Sequence, residues 1–194
     1  MKVIDIMKNG AELLGLTSDL QLLETVTEEN HNEILTNRNV AKMFRLLEYS
    51  LQEICTNYIP VCYEQTISTQ NKEILISSLT NCLKVLKVYL NNESVSFKII
   101  NRKIVVETDG EYTIKYTTYP TIHSMFEELD FLNNLSPDIV VNSFCAYYSL
   151  SVGMFDHFKA FHEEYIETAE SLKELKMFDL PSRRWEWITR SKWK

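Results

Sequence analysis

The side chains able to do chemistry are few and scattered. His157 and His162 lie five residues apart in a helical pattern. That is about 140° around the axis, so they do not share a metal ion as an i, i+4 pair would. His162-Glu163 lacks the second histidine of an HExxH motif. The carboxylates Glu127, Glu128 and Asp130 could meet Glu163, Glu164 and Glu167 for acid–base work only if two helices faced each other. Otherwise both groups are solvated acidic faces. Cys145 and His157 form the one conceivable nucleophile–base pair, but Cys145 falls inside an apolar helical pattern. The four cysteines, Cys55, Cys62, Cys82 and Cys145, contain no CxxC. They are expected to be buried, reduced thiols of a protein folded in a cytoplasm. Four glycines are too few for the usual phosphate loops, and no P-loop, GxSxG or GxGxxG occurs. The expectation is a protein with no catalytic site, no cofactor and no metal.

A different chemistry gathers in residues 181–194, PSRRWEWITRSKWK. This tail holds Arg183, Arg184, Arg190, Lys192 and Lys194 against a single acid, Glu186, for a net charge of +4. It also holds all three tryptophans, Trp185, Trp187 and Trp193. Trp and Arg are the residues that anchor protein–protein contacts. In an extended segment Trp185 and Trp187 share a face, which suits strand addition or insertion into a groove. Two other readings stay open. The tail can fold back on its own acidic faces, or it can stack on single-stranded nucleic acid. Against the last, the whole chain carries −7, so the remainder carries −11 and repels phosphate.

The elements that position these residues follow from periodicity. The chain has 194 residues, 45% hydrophobic, with only four Gly and four Pro. That excludes collagen-like, linker-rich and disordered classes. No apolar leader is expected near Asp5 and Lys8, and no run reaches the roughly 18 apolar residues of a membrane span. Ile4, Met7, Leu13 and Leu14 predict a short helix stopped near Gly15, and Thr17 or Ser18 can cap a second. Glu28 to Leu35 is ambiguous. Asn39 reads as the cap of a helix whose apolar face runs through Val40, Met43, Leu47, Leu51, Ile54 and Tyr58 to Pro60.

The period then changes to two. Cys62 to Ile67, Ile74 to Leu79 and Leu83 to Leu90 read as strands, with a bulge where apolar parity switches at Val85-Leu86. Val95, Phe97 and Ile99 alternate, as do Tyr112, Ile114 and Tyr116. Asn91-Asn92, Asn101-Arg102 and Asp109-Gly110 read as turns, the last as a tight hairpin with Gly110 at positive φ. A five- or six-stranded antiparallel meander is expected over 61–119. Helices return with a short acidic segment from Thr121 to Leu132. A helix capped by Ser136-Pro137 follows, and then one from Phe155 to about Leu175.

The order of parts, with the strings NYIP (57–60), GEYTIKYTTYP (110–120), SPDIVVNSFCAYYSLSVGMFDHFKAFHEEYIETAESL (136–172) and LPSRRWEW (180–187), resembles the head–tail adaptor proteins of tailed bacteriophages and prophages. These are also called connector or tail tubular protein A-like proteins. The GxYxIxYxxxP strand, the helix pair after it and a terminal RRW-type segment carry the likeness, which begins near residue 36. It implies an α+β fold: a helical bundle body, an inserted antiparallel β-meander and an extended C-terminal arm. The parts would be 1–60 and 121–175 for the body, 61–120 for the insert and 176–194 for the arm.

The resemblance also implies a non-enzymatic virion protein, assembled in a bacterial cytoplasm. It would form a ring between portal and tail and bind no membrane. Arg183, Arg184, Trp185, Trp187, Arg190 and Trp193 would engage the portal, and Asp109 and Gly110 would form a tail-side loop. DNA would be at most a passive occupant of an acid-lined channel. The alternatives are a cellular α+β interaction module and a small enzyme of unrecognised type.

Overall fold

The structure, a computed structural model, describes residues 1–69, 71–129 and 136–178. It is an α+β protein, with six α-helices and two antiparallel sheets among the described residues. The helices are α1 (Val3–Leu13), α2 (Thr17–Glu24), α3 (His31–Ile34), α4 (Arg38–Asn57), α5 (Pro137–Val152) and α6 (Phe155–Phe178). Among the described residues no helix is long and apolar enough to cross a membrane.

Helix α5 is the buried element of the helical part, and α1, α4 and α6 all pack on it. Up to Ser149 its apolar residues leave no wet stripe: Ile139, Val140, Val141, Phe144, Cys145, Ala146 and Tyr148 are all buried. Ser136 caps it by accepting from the Asp138 N–H, and Pro137 takes the first turn, where no N–H is needed. Gly153 ends it at φ 80°. The Gly153 and Met154 N–H groups then donate to the Leu150 and Ser149 carbonyls, a Schellman stop. Helix α4 buries the face expected of it, with Val40, Met43, Leu47, Leu51 and Ile54 all inaccessible. Its cap is Asn37, two residues before the expected Asn39. The Asn37 Oδ1 accepts from the Asn39 and Val40 N–H groups. Likewise α2 begins at Thr17 with no side-chain cap.

The expected acidic helix at 121–132 does not form in its described part. Residues 121–129 instead run as irregular chain along the start of α1, with a turn at Met125-Phe126 and a bridge between Lys2 and Glu128. Val3 and Ile4 donate their N–H groups to the Glu127 and Met125 carbonyls, and Leu129 donates to the Met1 carbonyl. The first N–H groups of a helix have no partner within it, and this segment supplies them.

Among the described residues the insert has seven strands: β1 (Val61–Thr69), β2 (Glu73–Leu75), β3 (Cys82–Leu90), β4 (Glu93–Val95), β5 (Lys98–Ile100), β6 (Lys103–Val105) and β7 (Gly110–Thr118). They are not one meander. One sheet runs β1-β7-β3-β4 and the other β2-β6-β5. Strand β7 lies between β1 and β3 because both its edges pair over most of its length. Its Tyr112, Ile114 and Tyr116 are buried, and Ile74 and Ile104 of the second sheet join the same cluster. The parity switch in β3 is a register shift between Val85 and Lys87. Two of the three expected turns form two-residue hairpins with both residues at positive φ, Asn91-Asn92 and Asn101-Arg102.

The third does not. Strand β6 pairs with β2 and β5, so β6 and β7 form no hairpin, and Gly110 is not at positive φ. Asp109 Oδ1 accepts the Lys72 N–H at 2.7 Å, tying this corner to the end of β1 instead. The helical and β parts each enclose their own apolar cluster, with no buried residue in common.

Candidate functional site: a carboxylate among tyrosines

The residues with expected chemistry are mostly placed apart. His157 and His162 lie on α6 with their rings against Phe161 and Phe158, at centroid distances of 6.5 and 5.1 Å. Among the described residues no three His, Cys, Asp or Glu side chains group as metal ligands. Glu127 is turned to the His123 N–H at 2.7 Å, and Glu164 accepts from Asn142 Nδ2 at 3.2 Å, so the two acidic groups have different partners. Asp130 lies outside the described residues. The acids that do converge are Asp138, Glu164 and Glu167, around a shallow depression beside Leu13.

Cys145 is fully buried, with its Sγ 3.8 Å from the Gly10 carbonyl. Burial pushes its thiol up to about 12, so it is no thiolate nucleophile near neutrality. His157 is exposed. Cys55 is buried as expected. Cys62 is exposed, because it sits on the outward face of an edge strand, and Cys82 is intermediate. The arm residues Arg183, Arg184, Trp185, Trp187, Arg190 and Trp193 lie outside the described residues.

The densest polar chemistry is one that sequence reasoning missed. It joins α4, α5 and α6. Tyr49 and Glu53 sit one turn apart on α4, hence on one face. Tyr147 on α5 reaches across and donates to Glu53 Oε2 at 2.6 Å. The Tyr49 and Tyr147 rings meet edge to face, with centroids 4.9 Å apart. Tyr58, just past the end of α4, meets Tyr165 of α6 in the same way at 5.9 Å. Tyr165 is fully buried, with its hydroxyl beside the Glu53 carboxylate and the Tyr58 hydroxyl.

The electrostatics follow from that packing. Burial, then the Glu53 charge and its hydrogen bond, raise the Tyr147 pKa well above the ordinary tyrosine range. Burial and then Glu53 do the same for Tyr165. Tyr58 is raised by burial, then by Glu53 and Glu170. All three stay protonated donors at neutral pH. Among the described residues no Lys, Arg or His forms an ion pair with Glu53.

The individual residues gave only a weak signal. Tyr58 reads as one more member of an apolar face, and Tyr147 as part of an all-apolar helix. Only the i, i+4 spacing of Tyr49 and Glu53 hinted at a polar seam, and helix pairing decides what meets it.

Large apolar side chains are also exposed on both parts. Leu150, Val152 and Phe155 cluster around the Gly153 turn, with Phe155 67% exposed. Leu75, Ile99 and Ile100 are exposed on the smaller sheet. No model of a known protein family matches the chain, and no curated protein matches it.

Proposed function

We propose that this protein is a non-enzymatic assembly protein, a head–tail adaptor of a tailed phage or prophage that forms a ring between portal and tail. The observation that carries the reading is the chain order in space. Helices from both ends of the chain pack together on α5, while residues 61–118 make a separate antiparallel β part between them. This is the arrangement that the resemblance implies. The apolar side chains exposed around the Gly153 turn support it, since neighbouring exposed apolar groups mark interaction surfaces.

In this reading the partners are portal and tail proteins and further copies of the chain. The arm with Arg183, Arg184, Trp185, Trp187, Arg190 and Trp193 is the portal anchor. Asp109 and Gly110 form a corner braced against Lys72 on the tail side. The protein would reside in the virion after assembly in the cytoplasm, and DNA would pass an acidic lumen without sticking.

The test is the composition of purified virions from the element that carries the gene, read by peptide mass spectrometry. The reading requires the chain to be present in a fixed ratio to the portal protein, with portal and tail genes beside its own. A chain absent from virions, or a gene set in a metabolic operon, overturns it.

A further inference from the structure

We propose that the outward face of β3 is a docking surface for a second copy of this chain, and that it meets the acidic α5–α6 face of that copy. The inference rests on the ring of the adaptor reading and names the contact between its subunits.

Strand β3 carries the first observation. It holds two register shifts against β7, between Cys82 and Lys84 and between Val85 and Lys87. At each, a leucine and the lysine after it oppose a single β7 residue. Leu83 and Lys84 oppose Thr117, and Leu86 and Lys87 oppose Lys115. Val85 and Val88 pair with Tyr116 and Ile114 and are buried in the β cluster. Leu83 and Leu86 stay outside that cluster, 43% and 37% exposed. Bulges re-aim side chains, and each one here turns out a leucine beside an exposed lysine.

The second observation is electrostatic. Lys87 and Lys115 lie directly opposite each other on neighbouring strands, an arrangement that costs stability in the single chain. Glu64 pairs with Lys115 at 3.0 Å from the other side, and Glu111 lies farther along the same face. Lys84 and Lys87 form no ion pair among the described residues. An acidic partner would relieve the repulsion.

The chain itself supplies that partner. Residues 1–60 and 119–178 carry eight basic and nineteen acidic side chains, whereas 61–118 carry seven and six. On the helical part Asp138, Glu164 and Glu167 gather around Leu13, which is 55% exposed. None of these three acids forms an ion pair among the described residues. Asp138 accepts from Ser136 and Glu164 from Asn142, which leaves acceptor positions open on both. An exposed leucine among carboxylates thus matches exposed leucines among lysines. Opposite charges set the register, and the apolar side chains leave water. Nucleic acid fits this face less well, since phosphate offers the leucines nothing and the −7 of the chain repels it. The two patches differ, so the contact runs head to tail, the kind that closes rings.

The test is sedimentation velocity of the full chain over a range of concentration and salt. The natural sequence should associate at low salt and dissociate as salt screens the contact. Two variants are needed, Lys84→Glu with Lys87→Glu and, separately, Glu164→Lys with Glu167→Lys. All four positions are exposed, so neither thermal melt should fall appreciably. Each variant alone should associate about tenfold more weakly or worse. An equimolar mixture of the two should associate again, because every reversed patch then faces an opposite one. A natural chain that is monomeric at every concentration, or a mixture no better than its components, overturns the proposal. A monomer whose Lys84 and Lys87 bind duplex DNA instead overturns it too. The virion test stands apart. A chain present in virions yet indifferent to both reversals refutes this contact and keeps the adaptor reading. A chain that associates as described but is absent from virions does the reverse.

Discussion

Gly10 sits where α1 crosses α5, and a methyl group there would overlap the Phe144 ring. Both residues are buried, so the helices would have to separate. Gly10→Ala should cost about 1–3 kcal/mol in urea unfolding, and Phe144→Leu in the same chain should recover part of it. Simple additivity of the two would refute the overlap. Cys145, beside this crossing, gives a pH dependence. Its folded pKa, raised to about 12 by burial, exceeds its ordinary value of 9.0. Below pH 9 both states hold the proton and stability is complete. Above it the unfolded chain releases the proton and the folded chain does not. Stability should therefore fall, by up to about 1.4 kcal/mol per pH unit. Between pH 9 and 10, where the buried tyrosines begin to add a slope of the same sign, Cys145→Ala should reduce the slope without abolishing it; an unchanged slope means other groups are responsible. The burial of Cys145 was legible in the sequence, since its apolar neighbours recur on every side of the helix. The role of Glu53 was not, because its partners come from two other helices.

At the scale of elements, turns and caps separate what local sequence decides from what tertiary context decides. Asn101-Arg102 closes a two-residue hairpin with both residues at positive φ, where arginine is strained. Arg102→Gly should raise stability by a few tenths to about 1 kcal/mol, and Arg102→Ile should lower it by a similar amount; thermal melts reading the same for both would argue against the turn. Asn37→Ala should cost about 1 kcal/mol through the lost cap of α4. Asn39→Ala should cost less, since its side chain makes only a 3.3 Å contact with Asp19. Helix α4 itself was readable from its apolar spacing, but its start was not: Asn37 and Asn39 are equally good cap residues, and chain direction into the helix chooses between them. Asp109-Gly110 carried the stronger turn composition and formed no hairpin. The pairing of β7 with two sequence-distant strands outweighs a local turn preference.

For the whole molecule, the two apolar clusters predict two levels of cooperativity. Ile114→Ala, at the centre of the β cluster, should cost about 2–5 kcal/mol there. Hydrogen exchange should then show lost protection in β1, β3 and β7 with the α5 amides still protected; equal losses in both parts would make the chain one cooperative unit. The α+β class and the helix–strand–helix order were legible from the change of period near residue 61. The division into two sheets was not, because strand order depends on pairings that alternation cannot encode. The pairing of α1 with residues 125–129 was hidden for the same reason, and it bears on biosynthesis. Helix α1 can meet α2 as soon as both are made, yet its backbone partners follow more than a hundred residues later and α5, against which it also packs, later still. At roughly 5–20 residues per second, translation leaves Val3, Ile4, Ile6 and Met7 without their final neighbours for on the order of ten seconds. The central strand β7 ends only seven residues before Met125, so the β part is completed at nearly the same moment as the segment that pairs with α1. Throughout synthesis of the β part the apolar face of α1 thus waits without α5, the kind of transiently exposed surface on which nascent chains aggregate.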